Sequence, residues 1–354
     1  MSHSNITIIC FFLLLNLVVF PFAAAVGEAQ FPCFFIFGDS MVDNGNNNYL
    51  HTAAKVNYLP YGIDFPAGPT GRFTNGRNAA DVIAQLLGFD KSIPPFANAT
   101  NEDILGGVNY GSGGAGILDD SGSVFGDVVS MNEQLTNHEV AISRLAALLG
   151  SKSAAKKHLK SCLYYVGMGN NDYLGNYLPK YYASTTQYTP KQFATVAIKQ
   201  YAKQLRRLYY NGARKVAVIA PGKLGCVPQQ LSTYGATEGS ICVETSNDIV
   251  QIFNEKLELL INDLNKRLPN ANFLYTADVP DQGAYANMTN LTEPCCPVST
   301  ESLGHCVVGS IPCSNRDEYY FWDSYHPTEA AVLLSANIVH NAMSPFFTKL
   351  LDVL

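Results

Sequence analysis

The chain has 354 residues, of which 47% are hydrophobic and only 15% are charged. This composition is typical of one or two well-packed globular domains, and it excludes disorder over any long segment. A formal net charge of −6 and the lack of long Lys or Arg runs argue against a nucleic-acid-binding protein.

The first predicted element is an apolar segment at the N-terminus. Residues 6–22 are almost continuously apolar, and small residues follow at 23–25 and 27–29. We assign a secretory signal peptide to residues 1–25, with cleavage as late as residue 29 as an alternative. A membrane anchor competes with this interpretation because no Lys or Arg precedes the run. Asn16 and Pro21 interrupt it, however, and it is shorter than the ~20 apolar residues that a membrane span needs. We therefore expect a secreted protein without a stable membrane span, in the apoplast, the cell wall or the vacuole.

The rest of the chain alternates between short strand-like and longer helix-like segments. Apolar runs rich in β-branched and aromatic residues predict strands at Cys33–Phe37, Cys162–Val166, Lys215–Ala220 and Asn272–Tyr275. Helical periodicity predicts helices at Ala79–Leu87, Pro190–Tyr210, Ser246–Leu268 and Pro327–Met343. Parallel strands need long connections, which are usually helices. The pattern therefore predicts an α/β fold with a mainly parallel sheet, in a single domain over residues 30–354.

The end of the first predicted strand carries a candidate nucleophile. Gly38, Asp39 and Ser40 follow this strand directly, and ligands of parallel α/β proteins bind beyond the carboxyl ends of the strands. Gly38 permits the unusual backbone angles of a sharp turn. A serine hydroxyl becomes reactive only with a base in hydrogen-bonding distance and donors for the oxyanion. Taken alone, Asp39 and Ser40 are more simply explained as helix-capping residues.

Two later segments offer oxyanion donors. In VGMGNNDY, a predicted strand ends before Asn171, whose amide can donate two hydrogen bonds without adding charge. In NYGSGGAG, the glycines allow close approach of the backbone, so Gly113 or Gly114 can present a bare N–H. We prefer Gly114, five residues after Asn109. Turn-forming Asn and Gly are the alternative explanation for both segments.

The cysteines indicate disulfides. Nine are present, and eight stay if Cys10 leaves with the signal peptide, an even number that allows 105 pairings. Four crowd together: Cys295, Cys296, Cys306 and Cys313. Zinc is the alternative, but the cluster has no Cys-x-x-Cys and His305 is its only nearby imidazole, so we predict disulfides and no metal site. Sequons predict glycosylation at Asn98, Asn287 and Asn290.

One histidine has a carboxylate at a suggestive spacing. Asp323 precedes His326 by three residues in FWDSYHPTEAA, so the two side chains can meet on one turn. The carboxylate can then hold imidazole Nδ1 and leave Nε2 facing outward as a base. Pro327 is predicted to begin a helix and to keep His326 extended. The other six histidines, including His305, lie in tails, polar loops or helical segments without such a partner, and a pair of surface capping residues is the alternative for Asp323 and His326.

In their order along the chain, these segments resemble the four sequence blocks of the SGNH hydrolases and, more closely, of the plant-type GDSL esterase/lipases. The resemblance runs across nearly the whole exported chain. It implies a flavodoxin-like three-layer α/β/α fold and hydrolysis of small-molecule or lipid carboxylic esters, with no metal or organic cofactor. Two positions depart from the family's pattern, since Met41 replaces leucine and Gly111 replaces alanine.

The resemblance also implies a role for each candidate residue. Ser40 is the expected nucleophile, and His326 is the expected base, oriented by Asp323. The backbone N–H of Ser40, Gly114 and Asn171 together form the expected oxyanion hole.

Four alternative functions fit parts of the sequence. Residues 111–116 match the dinucleotide-binding pattern G-x-G-x-x-G, but Gly and Asp interrupt the segment where a phosphate-binding helix should begin. An α/β-hydrolase is disfavoured because its G-x-S-x-G motif is absent. A non-catalytic binding protein has no need for nucleophile, base and oxyanion donors together. An acyltransferase that uses the same site with an alcohol acceptor stays open, as do the acyl chain length and the oligomeric state.

We expect the loops at 44–76 and 174–190 to shape the substrate pocket.

Overall fold

The computed structural model describes residues 29–179, 183–277 and 288–347; the predicted signal peptide and Asn287 lie outside these ranges. The strands described are β1 (Phe34–Gly38), β2 (Leu163–Gly167), β3 (Lys215–Ala220), β4 (Asn272–Ala277), β5 (Asn290–Pro294) and β6 (Tyr319–Phe321). The α-helices described are α1 (Ala79–Leu86), α2 (Asn101–Gly106), α3 (Met131–Leu148), α4 (Lys152–Ser161), α5 (Ala183–Gln187), α6 (Pro190–Tyr210), α7 (Pro228–Tyr234), α8 (Glu244–Arg267) and α9 (Glu329–Ala342). Within the described ranges, no helix combines the length and apolar character that a membrane crossing requires.

The central sheet is parallel, and its order reverses next to β1. Strands β1, β2, β3 and β4 are neighbours in that order and all run parallel. On the other side of β1, residues 108–110 pair with Ile36: Ile36 N–H donates to Val108 O at 3.0 Å, and Tyr110 N–H donates to Ile36 O at 2.8 Å. Counted as a strand, this segment gives the chain order 2-1-3-4-5, which is the flavodoxin-like order. The switch point where such sheets bind ligands therefore lies between the carboxyl ends of β1 and β2.

Helices cover both faces of the sheet because strand side chains alternate between two hydrophobic cores. Phe35 and Phe37 of β1 lie in the core formed with α3, α4, α6 and α8. Phe34 and Ile36 lie in the core formed with α1 and α9. A sheet buried on both faces needs strands that are apolar throughout, as these are. The predicted three-layer α/β/α sandwich is confirmed.

The predicted element bounds agree with the structure to within two residues. The last helix begins two residues later than expected, because Pro327 does not start it. Thr328 is the N-cap of α9, and its Oγ1 accepts a hydrogen bond from Ala331 N–H at 3.3 Å. A side-chain hydroxyl that satisfies a free backbone N–H sets the start of a helix, so α9 begins at Glu329. Pro327 lies before the cap and forms a bridge with Phe321.

The predicted disulfides are confirmed within the described residues. They are Cys33–Cys162, Cys226–Cys242, Cys295–Cys313 and Cys296–Cys306. The last two close the loop between β5 and β6, where zinc was the alternative. Because these sulfurs are bonded to one another, they cannot serve as thiolate ligands.

The two described sequons differ in accessibility. Asn98 is exposed in the connection before α2. Asn290 is half-buried in β5, where its Nδ2 donates to Glu293 Oε2 at 3.1 Å. Glycosylation stays a prediction, and the amide of Asn98 is the more accessible acceptor of the two.

A buried histidine in the larger core makes stability sensitive to acid. His138 is fully buried, and its Nδ1 lies 3.0 Å from Tyr110 Oη. Burial lowers the pKa of His138 to about 3, whereas an ordinary histidine in the unfolded chain titrates near ~6.5. The unfolded chain therefore binds a proton that the folded protein rejects. Folding loses stability as the pH falls from the unfolded pKa towards the folded pKa.

We expect the His138→Leu variant to lack this part of the acid sensitivity. Relative to this variant, the wild type should lose about 1.4 kcal/mol of unfolding free energy for each pH unit below pH 6, down to about pH 4. Urea unfolding at several pH values measures this difference, and all other titrating groups are common to both proteins. Parallel stability curves would mean that His138 keeps an ordinary pKa in the folded state.

Candidate active site

The chain turns sharply at the carboxyl end of β1, and Ser40 lies on that turn. A Cβ atom on Gly38 would lie 2.5 Å from Val42 Cγ2 and 3.1 Å from Gly167 O. The φ angle of Gly38 is outside the left-handed region, so this glycine is needed for space and not for the unusual backbone angles expected from the sequence. Gln134 of α3 holds the turn: its amide donates to Gly38 O at 2.8 Å and accepts from Gly38 N–H at 3.1 Å. Ser40 is thereby presented at the switch point of the sheet.

Ser40, His326 and Asp323 form a continuous chain of hydrogen bonds. His326 Nε2 lies 2.8 Å from Ser40 Oγ across a sequence separation of 286 residues. His326 Nδ1 lies 2.8 Å from Asp323 Oδ2. The three residues are buried, with 9%, 5% and 0% exposure for Ser40, His326 and Asp323. With the proton on Nδ1, Nε2 is free to accept the hydroxyl proton of the serine.

The environment of Asp323 keeps its carboxyl group ionised. Its Oδ1 accepts hydrogen bonds from the backbone N–H of Tyr325 and of His326, both at 2.8 Å. Its Oδ2 accepts from the hydroxyl of Tyr61 at 2.5 Å. Burial raises the pKa of Asp323, but the charge and hydrogen bond of the His326 ring, together with the Tyr61 hydroxyl, outweigh burial and hold the pKa below its usual value. A charged carboxylate beside Nδ1 is what stabilises an imidazolium.

Tyr61 is a site residue that the sequence did not reveal. Its side chain is fully buried, and it reaches Asp323 across 262 positions of the chain. Its hydroxyl oxygen also accepts a hydrogen bond from Cys306 N–H at 3.0 Å. Cys306 is also bonded to Cys296, so a loop closed by a disulfide holds the Tyr61 hydroxyl in contact with Asp323. A lone tyrosine in a loop carries no sequence signal for this contact.

The Tyr61→Phe variant is expected to have a kcat about 10-fold lower, with little change in KM. The carboxylate of Asp323 then loses a donor that holds it against His326, and a hydrogen bond to a charged group is worth ~1.5–3 kcal/mol. Steady-state kinetics on a p-nitrophenyl ester measures the effect.

Tyr58→Phe is the matched control for this variant. It removes only a hydroxyl that donates to Cys306 O at 3.1 Å. An equal loss of kcat in both variants would mean that Tyr61 supports the loop and does not orient Asp323.

The glycines at 113 and 114 use their backbone N–H groups differently. Gly113 N–H donates to the buried carboxylate of Asp43 at 3.0 Å. Among the described residues, neither Gly114 N–H nor Ser40 N–H has an acceptor, and both residues line the same cavity. Gly114 has φ of +84°, and a Cβ there would lie 2.9 Å from Val128 Cγ1, so a side chain at this position would be strained. Two free N–H donors thus lie in the wall of one cavity.

Asn171 lies in the wall of the same cavity, on the segment that follows β2. Its Nδ2 donates one hydrogen bond to Ala115 O at 2.9 Å, which orients the amide and leaves its second N–H for another acceptor. The neighbouring Asp172 accepts from the backbone N–H of Ile117 and of Leu118, both at 2.9 Å. These bonds fix the Gly-rich segment to the segment that carries Asn171.

Two more buried carboxylates hold the loop around Ser40. Asp39 accepts from Met41 N–H at 3.0 Å and from Asn170 Nδ2 at 2.9 Å. Asp43 accepts from Gly45 N–H at 2.7 Å as well as from Gly113. Burial raises the pKa of Asp39 and that of Asp43 to about 6. Because each carboxylate is paired with N–H donors, burial is compatible with a rigid loop.

A second imidazole lies beside His326. His305 is only 4% exposed, and its ring stacks on that of His326 with centroids 6.1 Å apart. Burial lowers the pKa of His305 to about 4, although the nearby Asp323 opposes this shift. In the sequence, His305 is the only imidazole near the clustered cysteines and has no suggestive carboxylate partner. The Cys296–Cys306 disulfide, adjacent to it in sequence, closes that loop over the site.

Ser40 and His326 border a cavity of about 1360 Å³. Much of its wall comes from residues 220–244 and 288–305, which were not expected from the sequence to shape the pocket. The loops expected to shape the pocket contribute less; they supply Ala54, Phe73, Leu174, Gly175 and Pro179. Among the other lining residues, several are apolar: Val124, Phe125, Ile241, Met288, Leu291 and Leu303. The cavity can therefore take an apolar group much larger than acetate.

An α/β/α sandwich with a Ser–His–Asp hydrogen-bond chain at the switch point of its sheet has the features of a serine hydrolase. Residues 34–339 match the model of the GDSL-like lipase/acylhydrolase family, and the chain belongs to this family. The predicted resemblance is confirmed, and membership identifies the chain as a carboxylic ester hydrolase.

Three relatives from Arabidopsis thaliana, each named a GDSL esterase/lipase, illustrate the similarity. One is 43% identical over 97% of this chain and 96% of its own length. A second is 43% identical over 89% of this chain and 88% of its own. A third is 45% identical over 85% of each chain.

Proposed function

We propose that the chain is a secreted serine esterase that hydrolyses lipid or other acyl esters through an acyl-enzyme on Ser40. In the first half-reaction, Ser40 Oγ attacks the ester carbonyl carbon while its proton moves to His326 Nε2. The oxyanion accepts hydrogen bonds from Ser40 N–H, Gly114 N–H and the Asn171 amide. The bond to the alcohol oxygen then breaks, and His326 gives its proton to that oxygen.

The second half-reaction repeats these steps with water. A water molecule loses a proton to His326 Nε2 and attacks the acyl carbon, and the same donors stabilise the oxyanion. The bond to Ser40 Oγ then breaks, the serine regains the proton from His326, and the carboxylic acid leaves. Asp323 stays ionised throughout and stabilises each imidazolium.

The unbroken hydrogen-bond chain from Ser40 to Asp323 is the observation that carries this proposal. Both of its distances are 2.8 Å, so proton transfer needs no rearrangement of these side chains. Gly114 is preferred to Gly113 as oxyanion donor because Gly113 N–H is already donated to Asp43. Secretion is supported by the disulfides, which persist in oxidising compartments.

The cavity supports an ester with a long acyl chain. Its volume of about 1360 Å³ exceeds the ~300–1,000 Å³ of ordinary ligand pockets. Each methylene that moves from water into an apolar wall contributes about 0.8 kcal/mol. For p-nitrophenyl esters from acetate to palmitate, we therefore expect kcat/KM to rise with chain length before it levels off. A folded protein that hydrolyses none of these esters would contradict the proposed function.

The Asn171→Ala variant is expected to lower kcat by roughly 10²–10³-fold, the usual loss for one oxyanion donor. The melting temperature should change little because the side chain makes a single described hydrogen bond, to Ala115 O. Steady-state kinetics and thermal unfolding measure the two effects. Asn337→Ala, on the exposed face of α9, is the matched control. Full activity of Asn171→Ala would make this asparagine a structural residue.

A further inference from the structure

The cavity contains a buried imidazole whose hydrogen-bonding capacity is unused. His305 lines the cavity at 4% exposure, and neither of its ring nitrogens has a hydrogen-bond partner among the described residues. Its ring contacts are with aromatic side chains: Phe73 at 5.7 Å, Phe125 at 6.0 Å and His326 at 6.1 Å between centroids. Because His305 lines the cavity, its ring nitrogens are available to a polar group that enters there. This availability points to a group on the substrate.

The position of His305 indicates which part of the substrate it meets. In ester hydrolysis by the proposed mechanism, His326 Nε2 protonates the departing alcohol oxygen, so the alcohol lies beside the His326 ring. The His305 ring stacks on that ring at an interplanar angle of 28°. The His305 ring also contacts the ring of Phe125. Phe125 in turn lies next to Gly114, since a Cβ on Gly114 would be 3.2 Å from Phe125 Cδ2. His305 is thus close to the base and within reach of a group a few bonds beyond the ester oxygen.

The charge state of His305 limits the chemistry of that group. Burial lowers its pKa to about 4, so the ring is neutral at neutral pH. A neutral imidazole has one N–H donor and one nitrogen acceptor. It offers no positive charge to a phosphate or carboxylate head group. A hydroxyl group, which both donates and accepts, is the better match.

We propose that His305 binds the alcohol portion of the substrate and favours esters whose alcohol carries a free hydroxyl near the ester oxygen, such as partial glycerides or sugar esters. This inference rests on the proposed function, because it needs the alcohol to leave beside His326. It assigns to His305 a role in specificity, separate from the proton transfers at His326.

Two esters with the same acyl group test the proposal. Glyceryl monobutyrate and propyl butyrate have three-carbon alcohols that differ in their hydroxyl groups, and both form the same butyryl-enzyme. The ratio of their kcat/KM values therefore reports only the alcohol side of the reaction. We expect His305→Phe and His305→Leu to lower the ratio, glyceryl over propyl, by about 3-fold to 10-fold, the effect of one neutral hydrogen bond.

Two further variants sharpen the comparison. His305→Gln retains a donor and an acceptor and should recover part of the wild-type ratio. His51→Gln replaces an exposed histidine and should leave the ratio unchanged. A wild-type ratio in either His305→Phe or His305→Leu would overturn the proposal.

Labelling with a fluorophosphonate separates the failure of this proposal from that of the proposed function. The probe reacts with the nucleophile and has no sugar or glycerol group. Labelling of Ser40 in the His305 variants shows that they are folded and competent, so an unchanged ester ratio then counts against His305 alone. Absence of labelling in the wild type would overturn both proposals.

Discussion

Replacement of Ser40 by alanine is expected to lower kcat roughly 10⁶-fold, as loss of the nucleophile does in serine proteases. In the proposed mechanism, alanine removes the atom that forms the acyl bond and leaves His326 Nε2 without the hydroxyl that lies 2.8 Å from it. The oxyanion donors and the cavity stay in place, so a residual rate of ~10³–10⁴-fold over water is expected. Hydrolysis of p-nitrophenyl butyrate at high enzyme concentration measures this residual activity.

The Ser143→Ala variant is the control for this experiment. Ser143 lies on the exposed face of α3, where its hydroxyl donates to Glu139 O at 3.0 Å. It should retain wild-type kcat. If Ser40→Ala kept more than a few per cent of the activity while Ser143→Ala kept all of it, another group would have to be the nucleophile.

Replacement of Asp323 by asparagine is expected to lower kcat about 10⁴-fold, the loss seen when a triad aspartate becomes an amide. The carboxylate has acceptors on both sides: Oδ1 faces two backbone N–H groups, and Oδ2 faces Tyr61. An asparagine has a single acceptor oxygen. Whichever set of donors this oxygen accepts from, the amide NH₂ takes the other position and faces the imidazole. An NH₂ donor at that position favours the tautomer in which Nδ1 carries no proton. The proton then moves to Nε2, which can no longer accept the proton of Ser40.

The Asp317→Asn variant controls for the loss of a negative charge near the site. Asp317 is exposed and lies six residues before Asp323, and its replacement should leave kcat unchanged. A rise in the activity of Asp323→Asn towards high pH would fit the tautomer explanation, because hydroxide can then take the serine proton. A kcat within 10-fold of the wild type at neutral pH would contradict the assigned role of Asp323.

The sheet was predictable from local patterns, whereas the candidate triad was predictable because its separate segments resemble the sequence blocks of a known family. Strands buried on both faces must be apolar throughout, so β1 to β3 stand out in the sequence. Parallel strands end at one edge, which is why Gly38-Asp39-Ser40 and the segment with Asn171 were expected to meet. The three-residue spacing of Asp323 and His326 is likewise a local pattern. Helices α3 and α4 were not predicted, since buried positions are a minority among their polar residues.

The residues that the sequence did not reveal depend on packing between distant segments. Gln134 holds the turn of Gly38 from another layer of the fold, 96 positions away. Tyr61 reaches Asp323 from a loop, and the paired cysteines bring His305 to His326. The part of the cavity wall formed by residues 220–244 likewise depends on packing between segments that are distant in the sequence. None of these contacts has a periodicity or spacing from which to infer it.

The cysteine-rich loop between β5 and β6 links stability to the site. The Cys296–Cys306 disulfide holds Cys306, whose N–H donates to the Tyr61 hydroxyl, and Tyr61 in turn donates to Asp323. From the sequence alone, zinc was the less favoured explanation of the clustered cysteines, because they include no Cys-x-x-Cys. The disulfides instead give the loop a fixed shape against the acid of the candidate triad.

Labelling with a fluorophosphonate, followed by mass spectrometry of the intact protein and of its peptides, tests whether Ser40 is the nucleophile. We expect one phosphonyl group per chain, attached to the peptide that contains Ser40, and no labelling of Ser40→Ala. A folded wild-type protein that takes up no label, or one that is labelled at a different residue, would contradict it.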